Sequence, residues 1–88
     1  MSVSQTIRAK LTEAFAPESL ELLDESERHR GHSGFREGGE SHFRLRMVAA
    51  AFEGESRVAR QRAVNRVLAD ELAGPVHALA MELRAPGE

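Results

Sequence analysis

An α+β domain, a three-stranded sheet with helices packed on one face, is the fold class this sequence predicts. Three observations point to it. Apolar side chains recur at helical spacing through Val3, Ile7, Leu11 and Phe15 and again through Val64, Val67, Leu68 and Leu72. The stretch His42–Ala49 alternates apolar and polar as a half-buried strand does. The chain has 88 residues, which suits one small core. The predicted order is helix–strand–strand–helix(–helix)–strand, in a single domain over residues 1–88.

Taken in order, Ser2-x-x-Gln5 reads as a capping box, and a helix is expected over residues 4–15 with Ala14 among its apolar positions. Pro17 ends it, because the residue before a proline disfavours helical backbone. Leu20–Asp24 reads as a strand with Leu20 and Leu22 inward. From Glu25 to Ser41 the periodicity dissolves into polar residues with four glycines, so residues 25–41 read as a long loop of the kind that usually carries function or disorder. In the next strand Phe43, Leu45, Met47 and Ala49 face the core while His42, Arg44 and Arg46 face outward. Ser56 is the expected N-cap of a helical region over 57–73. Val58 falls off the Val64/Leu68 stripe, which predicts a break near Arg60. Gly74-Pro75 stops the helix, with Gly74 expected to take the left-handed conformation. The last strand, Val76–Leu83, should place His77, Leu79, Met81 and Leu83 on one face, and Ala85–Glu88 is a tail.

Composition narrows the function. The net charge is −2, so no global basic field draws the chain to nucleic acid or a membrane. There is no cysteine, which excludes disulfides and any thiolate site built by this chain alone. No apolar run reaches the length of a membrane span, and Met1–Ser4 does not open a signal-peptide core, so a soluble cytoplasmic protein is expected. With no nucleophilic cysteine, no Gly-rich phosphate loop and no His-Glu-x-x-His, the expectation is a protein that is not an enzyme.

Two groups of residues stand out. His77 lies at the mouth of an apolar strand just after a helix end, and reads either as a metal ligand or as a histidine bonded to a helix-end carbonyl. His29 and His32 sit three apart on the long loop, either solvated or able to swing towards a site at His77. Arg57, Arg60, Arg62 and Arg66 gather uncompensated at a helix start, although Arg66 can pair with Asp70 four residues on. They read as a solvated face, as phosphate contacts, or as a dock for an acidic partner. His42 is expected to make a structural hydrogen bond.

The ordered set Asp24-Glu25-Ser26, Gly39-Glu40-Ser41-His42-Phe43, Phe52-Glu53-Gly54, Arg60-Gln61-Arg62 and Val76-His77-Ala78-Leu79 resembles the BolA family over essentially the whole chain. The resemblance implies a fold similar to the class II KH domain without its Gly-x-x-Gly loop. It implies a partner of monothiol glutaredoxins that shares a [2Fe–2S] cluster with them, in iron–sulfur trafficking or assembly or in iron regulation. The family's ligand histidine falls on His77, and a second ligand from the loop between the first two strands falls on His29 or His32, with His29 nearer the family position. The remaining ligands would be thiolates of the partner and glutathione held on its side. Some bacterial members are regarded as DNA-binding transcriptional regulators, which makes the Arg57–Arg66 region the alternative site. Weak homodimerisation is compatible with the resemblance. One departure is Gln61, where many members carry histidine between the two arginines.

Overall fold

A computed structural model describes residues 2–26 and 39–88. Helix α1 (Val3–Phe15) is followed by β1 (Ser19–Asp24) and β2 (His42–Val48), then a 3₁₀ turn at Ala50–Phe52, α2 (Arg57–Val67), α3 (Ala69–Ala73) and β3 (Ala78–Arg84). The sheet order is β1-β2-β3, with β1 antiparallel and β3 parallel to the central β2. The parallel pair needs a crossover, and α2–α3 supply it. This is the predicted α+β architecture.

Local chemistry sets the element ends. Ser2 Oγ accepts from Gln5 N at 3.1 Å while Gln5 Oε1 accepts from Ser2 N at 2.8 Å, completing the capping box. Ser56 Oγ accepts from Ala59 N at 3.1 Å and caps α2. The left-handed C-cap that closes α1 is Ala16, at φ 44°, not a glycine. Gly74 instead closes α3 at φ −111°, ψ −111°, so the left-handed cap expected there is absent.

The break in the helical region falls at Leu68, not near Arg60. Leu68 sits at φ −102°, ψ 21°, and its buried side chain anchors the bend in the core. Val58 is off the apolar stripe simply because it is exposed in the first turn of α2, which requires no break. The core lies between the helices and the inner sheet face. Ile7 and Leu11 of α1 and Val64 and Leu68 meet Leu22, Phe43, Leu45 and Met47, with Phe52 plugging one end against Phe15 at a ring distance of 5.2 Å. Each such side chain contributes about 1.5–3 kcal/mol through burial. Ala14 is exposed and lies outside the core.

The residues after β3 are fastened down. Ala85 is buried, and the Glu88 carboxylate returns to accept from Ala85 N at 2.9 Å and from the Arg60 fork, Nη1 at 2.6 Å and Nη2 at 2.7 Å. These bonds, the Arg60 fork first, hold the Glu88 carboxyl at about 2, below the ordinary 4.5. A depressed folded value stabilises the fold above the unfolded pKa, and that stabilisation is lost as pH falls through the folded value. The urea midpoint of the parent should therefore fall more steeply than that of Glu88→Gln between about pH 4.5 and 2. Parallel acid profiles would sink this assignment.

Candidate functional site: the base of the β1–β2 loop

Three side chains, those of Asp24, Ser26 and Ser41, tie together the two ends of the loop that joins β1 to β2. Asp24 Oδ1 accepts from Ser26 N at 2.9 Å and from Ser26 Oγ at 2.5 Å, while Oδ2 accepts from Glu40 N at 3.0 Å. Ser26 Oγ in turn accepts from Ser41 N at 3.0 Å and His42 N at 3.3 Å, and Ser41 Oγ lies 3.3 Å from it. Ser26 and Ser41 are 2% and 0% exposed, so the bonds that Ser41 and His42 make to Ser26 Oγ are out of reach of bulk water. Burial pushes the Asp24 carboxyl up, but the Ser26 hydroxyl and the Ser26 and Glu40 amides outweigh it and hold it below its ordinary value.

The turn that makes this closure possible is left-handed at Gly39 (φ 82°) and Glu40 (φ 63°). A Cβ on Gly39 would meet Asp24 Oδ2 at 3.0 Å, so this position suits glycine in both conformation and space. The Glu40 carboxylate then accepts from Ser4 N at 3.0 Å, placing negative charge at the N-terminus of α1.

His77 is joined to this assembly through the main chain: its N–H donates to Ser41 O at 2.7 Å, and Ala78 N donates to the same oxygen at 3.2 Å. It does not share the inner face with Leu79, Met81 and Leu83. Val76 takes the core position, and His77 precedes β3 with its ring exposed. That ring lies 5.2 Å from the ring of His42, tilted by 49°. His42 is the second departure from expectation. It is 4% exposed, not solvent-facing, because the register sets it opposite the small Ala78 and the loop base covers it. Its Nδ1 lies 2.9 Å from Ser41 Oγ, the structural hydrogen bond the sequence suggests. His29 and His32 lie outside the described residues.

The arginine cluster separates into two kinds. Arg60 is 9% exposed. Its Nε donates to Glu55 O at 3.0 Å, Nη1 donates to Leu83 O at 3.1 Å, the fork holds Glu88, and the guanidinium lies 5.9 Å from the Phe52 ring centroid. It is thus compensated and anchors α2 to β3, contrary to expectation. Arg57, Arg62 and Arg66 are exposed, and among the described residues none makes an ion pair. Asp70 does not pair with Arg66; it lies 3.8 Å from Lys10, which also holds Glu71 at 2.8 Å and so ties α1 to α3.

Comparison with known proteins decides the family. The BolA-like protein family model matches residues 11–88. The chain belongs to the BolA family. A Sinorhizobium protein, described only by its position 5′ of cobS, is 56% identical over 100% of this chain and 96% of its own length. Human BolA-like protein 1 is 48% identical over 98% of this chain, which spans 60% of the human protein. The DNA-binding transcriptional regulator BolA of Escherichia coli is 42% identical over 92% of this chain and 73% of its own length. Among solved structures, the BolA domain of SufE1 from Arabidopsis thaliana superposes with a TM-score of 0.87 at 41% identity, covering 98% of this chain and 94% of that one.

Within this BolA chain the family-like motifs acquire physical reasons. Asp24-Glu25-Ser26 and Gly39-Glu40-Ser41-His42 are the two halves of one hydrogen-bond network, buried at Ser26, Ser41 and His42, and Val76-His77 docks on it. Sequence reasoning singled out His77 as a candidate but not the network on which it docks, nor the Arg60–Glu88 clasp. Serines beside Asp24 and His42 were the available signal for the first. Among the described residues, no helix is long and apolar enough to cross a membrane.

Proposed function

We propose that this BolA chain is a non-enzymatic adaptor that binds a monothiol glutaredoxin and contributes imidazole to a [2Fe–2S] cluster shared between the two, in iron–sulfur trafficking, assembly or iron regulation. The observation that carries this reading is the exposed His77 ring, fixed by its backbone to Ser41 at the base of the loop that bears His29 and His32. His29 is three residues beyond Ser26, and three residues span at most about 10 Å. A loop histidine therefore has the chain length to approach the base where His77 stands.

The donor set fits such a shared group. This chain offers imidazole nitrogen and no cysteine, so thiolate ligands would come from the glutaredoxin and from glutathione on its side. Iron in a [2Fe–2S] centre takes imidazole as well as thiolate, as Rieske centres do. The work of this chain is then positional. Ser41 O fixes the His77 backbone, the His42 ring flanks the imidazole, and Asp24 and Ser26 hold the loop ends together. Imidazole supplied from this side favours the mixed pair over the glutaredoxin homodimer, because the second subunit brings a ligand the homodimer lacks.

The test is anaerobic mixing with cluster-loaded monothiol glutaredoxin, followed by visible absorption, circular dichroism and mass in solution. A cluster-bearing heterodimer with a changed spectrum is expected. Absence of both a complex and a spectral change would overturn the reading.

The Escherichia coli and Vibrio cholerae relatives are DNA-binding transcriptional regulators, which favours a second reading here, DNA binding through Arg57, Arg62 and Arg66. On this reading duplex affinity falls steeply with salt, and each of Arg62→Ala and Arg66→Ala lowers the logarithmic salt slope by about 1. An unchanged slope in both variants removes these arginines from any DNA contact.

A further inference from the structure

A cleft runs between the start of α2 and β3, bordered by Arg44, Arg57, Gln61 and Arg84, with Arg60 in its wall. Two of these cations are already committed at the surface: Arg44 Nε lies 3.3 Å from Glu25, and Arg84 Nη2 lies 3.5 Å from Glu82. Arg57 has no ion pair among the described residues. Arg60 is different in kind. Nine-tenths buried, it points a fixed guanidinium fork at an oxyanion, and that oxyanion is the chain's own Glu88.

The Glu88 carboxylate receives three N–H donors, two from the fork and one from Ala85 N. A guanidinium fork receives a phosphate in the same bidentate manner as a carboxylate, and a backbone N–H beside it completes an oxyanion cradle. The occupant is removable. Its side chain is 46% exposed, the last buried residue before it is Ala85, and Gly87 between them sits at φ 87°, where an added Cβ would meet nothing within 4 Å. We infer that Arg60 anchors a masked oxyanion site that accepts a phosphate group when Glu88 withdraws, with Arg57 as the neighbouring free cation. Glu88 acts as an internal competitor. A tethered group presents an effective concentration in the millimolar range, enough to keep weakly held free phosphate off the Arg60 fork.

This inference does not rest on the iron–sulfur reading, and it differs from the DNA reading in the residue it invokes and in needing Glu88 displaced. The experiment titrates inorganic phosphate into the parent chain and into Glu88→Ala, following the Arg60 Nε resonance by NMR. Binding at least about tenfold tighter in Glu88→Ala, with the Arg60 signal moving, is expected. Equal affinities, or shifts confined to Arg62 and Arg66, overturn the inference. Adding Arg60→Lys to Glu88→Ala keeps the charge but removes the fork, and should return affinity to the parent level. Should that double variant unfold, the Arg60 resonance in the single variant still decides. A single-stranded oligodeoxynucleotide titrated in parallel identifies the source: tighter binding than inorganic phosphate points to a phosphodiester, weaker binding to a free phosphate group.

Discussion

Replacing Ser26 with alanine is expected to destabilise the fold by about 2–4 kcal/mol, a large share of the roughly 5–15 kcal/mol that holds a domain folded. The side chain loses one oxygen atom, but that oxygen is the hub of the loop base. It donates to Asp24 Oδ1 at 2.5 Å and accepts from Ser41 N at 3.0 Å and His42 N at 3.3 Å. Ser41 and His42 are 0% and 4% exposed, so their amides cannot turn to bulk water. A buried donor without an acceptor costs about 1–3 kcal/mol, and two are created at once. Relaxation towards Asp24 recovers part of this, which sets the expected range below the simple sum. Urea denaturation of parent and variant measures the change, and faster amide exchange at Ser41 and His42 locates it. A change below about 0.5 kcal/mol would mean that another acceptor, such as a trapped water, replaces the hydroxyl.

The contrast between Ser56 and Ser26 explains what the sequence disclosed. Ser56 caps a residue three positions away, and Ser2 and Gln5 reciprocate over the same span, so local spacing is enough to recognise both. The alternation of β2 is equally local, because a strand with one buried face repeats every two residues. Ser26 meets Ser41 across 15 residues, and Arg60 meets Glu88 across 28. No periodicity announces such pairs, and a buried arginine in a polar helix looks like any solvated one until its partner is placed. The bend at Leu68 was hidden for a related reason. Leu68 fits the apolar stripe well, and packing in the core, not a glycine or proline, sets its backbone. His77 was identified from its position after a helix end, yet its orientation depended on whether Val76 or His77 faced inward. The larger gain from burying the apolar side chain decides in favour of Val76.

Replacing His77 with alanine is expected to lower cluster-dependent heterodimer formation with a monothiol glutaredoxin by at least about 100-fold. Loss of an outer-shell partner already costs 10–100-fold in metal affinity, and a direct ligand contributes more. The same substitution should change apo stability by less than about 0.5 kcal/mol, because the ring is exposed and the bonds that fix this residue, to Ser41 O at 2.7 Å, belong to its backbone. The two readouts separate a ligand from a structural histidine. Loss of the heterodimer with the urea midpoint retained assigns His77 to the shared site, whereas parallel loss of both makes it a residue of the fold. His42→Ala is the informative counterpart. Its ring lies 5.2 Å from His77 but is 4% exposed and bonded to Ser41 Oγ, so it should lose stability first and cluster affinity only in consequence. If His77→Ala leaves complex and spectrum unchanged, the exposed imidazole at the loop base is no ligand, and the shared-cluster reading loses the residue that carries it.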